Sequence, residues 1–288
     1  MISLIICSRK EFVLKSLRDN IEDSIGTEYE IIVIDNSKNK YSIFSAYNEG
    51  VRLAKYPYLC FMHEDVLFHT NDWGKIVINH FQDKRVGLIG TFGTHFLPKT
   101  PTGWYQSKVV SGGGLVRINE NGKFKPELQV DLTYLKEQQS IEAVAVDGLW
   151  ICMPKSLFSV VSFDENTFKG FHCYDIDICL QVRKAGFEVR IISDVLLEHL
   201  SSGRFPEEWV KNTLLLFEKW KEYLPQVAGV NLSLLEMNVR EDMVSETFLW
   251  MSAYAQCTAE LESTKNSIAY RFGKFILRPL SFIRQKLL

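Results

Sequence analysis

Residues 30–62, EIIVIDNSKNKYSIFSAYNEGVRLAKYPYLCFM, decide the fold class of this chain. The stretch begins with a β-branched apolar run, which is typical of a strand buried on both faces of a parallel sheet. Residues 41–55 then carry apolar side chains at helical spacing, and residues 58–62 form a second apolar run. Two such strands joined through a helix predict a βαβ unit, whose strands are parallel.

The same alternation continues on both sides of this unit. A strand at 2–7 and a helix at 11–25 precede it, and a helix at 72–83 and a strand at 85–90 follow it. This part of the chain therefore predicts an α/β fold with a Rossmann-like, mostly parallel central sheet flanked by helices.

Residues 91–140 break the alternation. They contain the glycine cluster SGGG at 111–114 and an Asn-Gly pair at 121–122, which predict irregular loops and a hairpin. The cluster lacks the GxxxxGK[ST] pattern of a phosphate-binding loop, so we expect a mobile loop over the ligand site instead. Regular elements return in five segments: a strand at 143–153, a helix at 174–186, a strand at 187–194, and helices at 207–224 and 248–264.

The composition is that of an ordinary soluble globular protein, with 288 residues, 46% hydrophobic, 24% charged and a formal net charge of −2. The near-neutral charge gives no support to a nucleic-acid partner. The chain has no apolar run of about eighteen residues, and its first apolar run is too short for a signal peptide. We expect a cytoplasmic protein.

Six cysteines are scattered along the chain without a CxxC pair, and most of them lie in apolar stretches. This pattern predicts reduced core residues in a cytosolic protein, and neither a disulfide framework nor a zinc site. The six are Cys7, Cys60, Cys152, Cys173, Cys179 and Cys257.

Polar side chains follow three of the predicted strands: Ser8 and Arg9, then Asp35, then the run His-Glu-Asp at 63–65. Ligands of open α/β sheets bind outside the carboxyl ends of the strands. Carboxylates at such a position are hard oxygen ligands, suited to Mg²⁺ or Mn²⁺ with phosphate oxygens as co-ligands. The alternative is that the acidic pair caps the next turn or lies in a solvated loop.

Five segments, in this order and spacing, resemble the family 2 glycosyltransferases, which have the GT-A fold. They are ISLIICSRK, EIIVIDNS, AYNEGVRLAKYPYLCFMHEDV, VDGLWICMPKSLF and FHCYDIDICLQVRKAGFEVRI. The resemblance implies a bacterial-type hexosyltransferase of polysaccharide biosynthesis. Such an enzyme moves a sugar from a nucleotide-sugar, most often a UDP-sugar, with inversion and with help from a divalent metal.

The resemblance also assigns the donor site. Asp35 corresponds to the aspartate that binds the base or its ribose, and Ser8 and Arg9 line the same nucleotide pocket. Asp147, in AVDGLW, lies in the segment that forms the floor of the donor-sugar and acceptor site.

The family's Asp-x-Asp element corresponds to residues 63–65. Asp65 takes the place of the aspartate that binds Mn²⁺ or Mg²⁺ on the diphosphate. His63 departs from the acidic pattern, and Glu64 could replace its contact to the ribose or donor sugar. His199 is a second candidate metal ligand, because imidazole suits Mn²⁺, with a structural histidine as the alternative.

The family's Glu-Asp pair, which opens a helix, corresponds to Tyr174 and Asp175. Asp175 is thus the expected general base, and its alternative role is to stabilise the helix start. Asp177, the other candidate base, points about 200° away from Asp175 on a helix, so only one of the two can face the acceptor. We expect Asp177 to pair with Arg183 or Arg190, or to cap the helix.

Two residues are candidates for the acceptor site. Trp150 could stack on a sugar ring, although a core tryptophan on a strand is the alternative. His172 lies close to the expected base in the sequence GFHCYD and could contact the acceptor.

We divide the chain into a GT-A domain at 1–205, a helical extension at 206–262 and a basic amphipathic tail at 263–288. Within the domain, 1–90 is the nucleotide-binding half and 91–205 the acceptor and catalytic half. The tail could lie on the inner face of a membrane that carries a lipid-linked acceptor. A helix docked on the body and an oligomer contact are the alternatives.

Two other functions stay open. A sugar nucleotidyltransferase also joins a parallel sheet to metal-binding aspartates, but it would carry a glycine-rich basic loop after the first strand, where ICSRKEF has no glycine. A non-catalytic nucleotide- or sugar-binding protein would account for His63 and Tyr174 at usually acidic positions.

Overall fold

The structure is a computed structural model that describes residues 1–10, 15–120, 123–131, 133–134, 138–201 and 205–267. The helices in this part of the chain are α1 Lys15–Ser24, α2 Ile43–Leu53, α3 Trp73–His80, α4 Tyr174–Lys184, α5 Glu207–Trp220 and α6 Leu234–Asn266. The strands are β1 Ile2–Ser8, β2 Tyr29–Asp35, β3 Tyr58–Met62, β4 Val66–Phe68, β5 Val86–Gly90, β6 Phe92–Thr94, β7 Phe96–Leu97, β8 Val110–Glu120, β9 Lys123–Asp131, β10 Ser140–Ala143, β11 Ala145–Val146, β12 Trp150–Pro154, β13 Glu188–Ile192, β14 Leu197–His199 and β15 Gln226–Val227.

The central sheet has seven strands in the order β10-β13-β5-β12-β3-β1-β2. The pairs β1–β2, β1–β3 and β5–β13 are parallel, as strands joined through helices should be. Strand β12 lies between β3 and β5 and is antiparallel to both. Five of the seven strands, β1, β2, β3, β5 and β13, run in one direction, which agrees with the prediction of a mostly parallel sheet. The sheet is mixed because the edge strand β10 and the inner strand β12 run the other way, and β12 enters without a crossover helix before it.

Helices cover both faces of this sheet, because alternate side chains of each buried strand point to opposite faces. On β1, Ile5 belongs to the core cluster that includes residues of α2, α4 and α5. Its neighbours Leu4 and Ile6 belong to the other cluster, which α1 and α3 complete. The apolar runs in the sequence thus reflect strands buried on both sides.

A second sheet has the strand order β11-β6-β8-β14-β4, and β9 pairs with β8. The β8–β9 hairpin confirms the prediction made for the Asn-Gly pair, which itself lies outside the described residues. The SGGG cluster is part of β8 and is not a loop over the site. Gly112 has φ +100, and a Cβ there would lie 2.0 Å from the Thr91 carbonyl oxygen.

Helices α5 and α6 follow the sheets and pack on each other, with the rings of Trp209 and Phe248 5.8 Å apart. A capping box between Ser233 and Glu236 starts α6. Of the predicted basic tail, residues 268–288 lie outside the described residues, so its contact with a membrane stays a prediction. Within the described ranges no helix has the length and apolarity needed to cross a membrane.

Cys60 on β3 and Cys152 on β12 form a disulfide, with Cα atoms 4.2 Å apart. The prediction of reduced cysteines is therefore wrong for this pair, because the antiparallel register places the two residues directly opposite each other. Cys257 also departs from the prediction, since it is free and exposed on α6. The other cysteines are free and partly or fully buried: Cys7, Cys173 and Cys179.

Candidate active site

A cleft of about 820 Å³ opens at the carboxyl ends of β1 and β3, beside the loop that precedes α4. This is the edge of the sheet where the sequence places its polar strand ends. The lining residues are Cys7, Arg9, Lys10, Asn36, Asn39, Lys40, Tyr41, Ser42, Ile43, Tyr47, His63, Glu64, Asp65, Lys169, Gly170, Phe171, His172, His199, Ser201, Pro206 and Glu208. Predicted site residues from both halves of the chain, Arg9, Glu64, Asp65, His172 and His199, therefore line one cavity.

Two of the predicted nucleotide contacts differ in position. Ser8 is fully buried at the end of β1, where its hydroxyl donates to the Glu64 carboxylate. It therefore orients Glu64, which lines the cleft, and does not itself line the cleft. Arg9 does line the cleft, and its guanidinium lies over the Phe171 ring, 5.9 Å from the centroid.

Asp35 ends β2 in register with Ser8. Its carboxylate is exposed and accepts from the backbone N–H of Ser37, which lowers the pKa of Asp35. The cleft lining includes the next residue, Asn36, but not Asp35. Asn36 is buried and holds the following loop through two hydrogen bonds to the backbone of Tyr41.

His63, Asp65 and His199 form the metal-type centre of the cleft. One ligand atom of each residue lies within 4.8 Å of those of the other two. The residues meet because β14 pairs with β4, so that the backbone N–H of Leu200 donates to the carbonyl of Asp65. Two imidazoles and one carboxylate fit a divalent transition-metal ion, whereas Mg²⁺ prefers oxygen ligands.

The charges of this group suit a cation. Burial alone would raise the pKa of Asp65, but hydrogen bonds from His199 and Ser201 hold it well below its usual range. Burial, together with the neighbouring His199, lowers the pKa of His63 to about 4. At neutral pH the site therefore offers one carboxylate and an uncharged His63, which are the ionisation states of metal ligands.

Asp175 and Asp147 form a second, half-buried pair that is not part of the cleft lining. Asp175 accepts a hydrogen bond of 3.3 Å from the backbone N–H of Gly148, while Asp147 accepts from that of Leu149. Burial and the charge of Asp147 raise the pKa of Asp175 to about 7. Burial also raises the pKa of Asp147.

Asp177 points away from this pair. It is 1% exposed, accepts from the indole N–H of Trp220 at 2.8 Å and pairs with Lys219 at 2.7 Å. The expected partners differ, because Arg183 pairs with Glu142 and Arg190 with Glu188. Asp177 therefore links α4 to α5, and it is not part of the cleft lining.

The two predicted acceptor residues have different surroundings. Trp150 is 1% exposed, with its ring edge-on to Phe68 and Trp73 in the core. No face of this ring is open to a sugar, so the acceptor role predicted for Trp150 is corrected to a core role. His172 is half-buried and lines the cleft, and its contact with an acceptor stays a prediction.

Several cleft residues were not predicted from the sequence. Lys10, Lys40 and Lys169 add positive charge to the cleft. Phe171 supplies an aromatic wall, and Glu208 of α5 fixes the neighbouring loop by accepting from the Phe171 backbone N–H. Lys10 follows Ser8 and Arg9 after β1, so the strand-end pattern could have included it. Lys40 and Lys169 lie in loops without such a pattern, so no sequence signal marked them.

The fold is of the GT-A class. The family model described as "Glycosyltransferase like family" matches residues 3–223, most of the chain. The chain therefore belongs to this family.

Three known proteins resemble this chain in sequence or in fold. The "Streptomycin biosynthesis protein StrF" of Streptomyces griseus is 24% identical over 173 residues, which are 58% of this chain and 56% of that protein. The mannosyltransferase PcManGT from Pyrobaculum calidifontis, solved with GDP-Man and Mn²⁺, has a similar fold with a TM-score of 0.52 and 11% identity, over 98% of this chain and 80% of that one. GalNAc-T7, solved with UDP, GalNAc and Mn²⁺, gives a TM-score of 0.50 and 14% identity, over 89% of this chain and 57% of that one.

Proposed function

We propose that this glycosyltransferase is inverting and metal-assisted, and that it moves a hexose from a nucleotide-sugar to a hydroxyl of a glycan or lipid-linked acceptor. The first nucleotide-sugar to test is a UDP-sugar. The observation that carries the proposal is the meeting of Asp65, His199 and Arg9 in one cleft at the sheet edge. A nucleoside diphosphate bound in this cleft would contact both a divalent cation and a basic side chain.

The cleft has the charges that a diphosphate requires. Asp65 and His199, with His63 beside them, would hold a divalent cation, which supplies Lewis-acid stabilisation of the leaving diphosphate when bound. Arg9 and Lys10 line the same cavity, and their positive charge favours phosphate oxygens. Asn36 and Glu64 are placed to accept or donate hydrogen bonds to the nucleoside and the donor sugar.

Asp175 is the proposed general base. Its pKa of about 7 leaves it largely ionised at slightly alkaline pH, yet basic enough to accept a proton. The acceptor oxygen would form the new bond to the anomeric carbon while its proton passes to Asp175 and the bond to the diphosphate breaks. One displacement of this kind inverts the anomeric carbon.

The choice of UDP rests on the family resemblance alone. The two similar folds were solved with different nucleotides, GDP-Man in one and UDP in the other. A thermal-shift screen of the purified chain against UDP, GDP, CMP and dTDP, with and without Mn²⁺, names the nucleotide. We expect one nucleotide to raise the melting temperature only with Mn²⁺, whereas no shift with any would contradict the proposed donor site.

A substitution of the base separates catalysis from binding. Asp175→Asn is expected to keep the nucleotide-dependent thermal shift and to lower the transfer rate by about 10²-fold or more. Asp164→Asn changes a partly buried aspartate outside the cleft, serves as the matched control and should transfer at the wild-type rate. Transfer that persists in Asp175→Asn would contradict the assigned base.

A further inference from the structure

The two positions at which this sequence departs from the acidic pattern of its family are in contact. Nε2 of His63 lies 2.8 Å from the phenol oxygen of Tyr174. The same phenol lies 3.0 Å from the carbonyl oxygen of Gly148, to which it donates. Both departures therefore belong to one hydrogen-bonded chain that ends at the metal-type centre.

The direction of this chain fixes the tautomer of His63. A carbonyl oxygen can only accept, so the single phenol proton of Tyr174 points to Gly148. The phenol oxygen then accepts the proton of His63 Nε2. A neutral imidazole carries one proton, and its other nitrogen, Nδ1, is left with a free lone pair.

We propose that His63 binds the cation through Nδ1 and that Tyr174 is the positioning residue that keeps this nitrogen available. With His199 and Asp65 the ligand set becomes two nitrogens and one oxygen, which favours Mn²⁺ over Mg²⁺. The inference rests on the proposed metal site. Because cation binding is measured without sugar transfer, the binding experiment can succeed or fail independently of the proposed transferase activity.

The packing around Tyr174 supports a fixed position. The side chain is buried, and its ring packs edge-on against Tyr47 and Phe44. Gly148 gives the phenol its space, because a Cβ there would lie 2.4 Å from the phenol oxygen. Because its ring is fixed by this packing, the Tyr174 phenol holds the His63 imidazole in one orientation. Hydrogen bonds from residues outside the ligand set orient metal ligands in the same way in other proteins.

The test is direct titration of the full-length chain with MnCl₂, followed by the electron paramagnetic resonance signal of free Mn²⁺, and with MgCl₂ as competitor. We expect the wild type to bind Mn²⁺ at least about tenfold more tightly than Mg²⁺. Tyr174→Phe keeps the ring and should weaken Mn²⁺ binding by about tenfold or more, with little change for Mg²⁺. Tyr58→Phe is the matched control. Tyr58 lies on β3, the strand that leads to His63, but its ring stacks on Phe81 away from the cleft.

Two further variants separate positioning from packing. His63→Asp makes the ligand set richer in oxygen and should move the preference toward Mg²⁺. In this background Tyr174→Phe should have no further effect on Mn²⁺, because the histidine that it positions is gone. The proposal is overturned if Tyr174→Phe binds Mn²⁺ as the wild type does, if it loses both cations equally, or if His63→Asp keeps the wild-type preference.

Discussion

At the scale of single residues, carboxylates with different surroundings have different properties in this site. Asp65 is held ionised by hydrogen bonds from His199 and Ser201, whereas Asp175 is made basic by burial and by Asp147. Ligation of a cation needs an ionised group, and removal of a proton needs a basic one. The separation of their pKa values fits the two roles proposed for these carboxylates.

The pKa of Asp175 predicts the pH dependence of transfer. Only the ionised carboxylate can accept a proton, so kcat/KM should rise with pH, and the rise should be centred near pH 7. Initial rates from pH 5.5 to 9 with saturating Mn²⁺ give the profile. A profile that is flat across this range, or centred near pH 4, would contradict the assigned environment of Asp175.

The same shift predicts a change in stability. The pKa of Asp175 is higher in the folded chain than in the unfolded chain, so folding is penalised once the pH exceeds the unfolded value, and the penalty is complete above the folded value of about 7. Asp175→Asn, which is always neutral, should therefore gain stability over the wild type as pH rises from 4 to 8, by about 1 kcal/mol or more. Urea unfolding at both pH values measures this gain, and an equal difference at the two would argue against a raised pKa.

Some site residues could be read from the sequence and others could not. Asp65 and Glu64 followed from an acidic run at the end of an apolar strand, and both line the cleft. Trp150 could not be placed, because a tryptophan on a strand looks the same whether it faces a core or a cleft. The contact of His63 with Tyr174 joins residues 111 positions apart, and no local pattern reports it.

At the scale of elements, side-chain contacts of Asp177 join α4, which carries the proposed base, to α5. Asp177 receives a hydrogen bond from Trp220 and Gln181 and pairs with Lys219. The carboxylate is fully surrounded by donors, although its buried position raises its pKa. These contacts hold the first turn of α4, which also contains Asp175, the proposed base.

Removal of this carboxylate should loosen the joint. Asp177→Ala leaves the Trp220 indole N–H without a partner and Lys219 with Asp164 alone, so we expect a loss of about 2–4 kcal/mol in the free energy of unfolding. Asp164→Ala removes the more exposed partner of the same lysine and should cost about 1 kcal/mol or less. Equal losses in urea unfolding of the two variants would contradict the buried joint.

The direction of β12 is a feature of the fold that the sequence did not predict. Apolar runs predicted β1, β2, β3 and β5 within a residue or two, because strands buried on both faces leave a clear signal. The same signal carries no direction, so the strand predicted at 143–153 came without one, and β12 runs antiparallel between β3 and β5. The Cys60–Cys152 disulfide escaped prediction for the same reason, since it depends on this pairing.

At the scale of the whole molecule, the two halves of the chain meet at one cleft. Residues 1–90 supply Arg9, Glu64 and Asp65, and the later half supplies His172 and His199. The central claim is that this cleft binds a nucleoside diphosphate together with a divalent cation. The family model gives the chain its family, and the cleft gives the proposal its particular residues.

The measurement that tests this claim most directly is calorimetric titration of UDP and of GDP into the full-length chain, with and without Mn²⁺. We expect one of the two to bind only with Mn²⁺ and to bind at least about tenfold more weakly to Asp65→Ala, because the carboxylate is the one charged ligand of the centre. Asp83→Ala, which removes a surface carboxylate paired with Arg85, should bind like the wild type. Binding that ignores Mn²⁺, or that is unchanged in Asp65→Ala, would contradict the account.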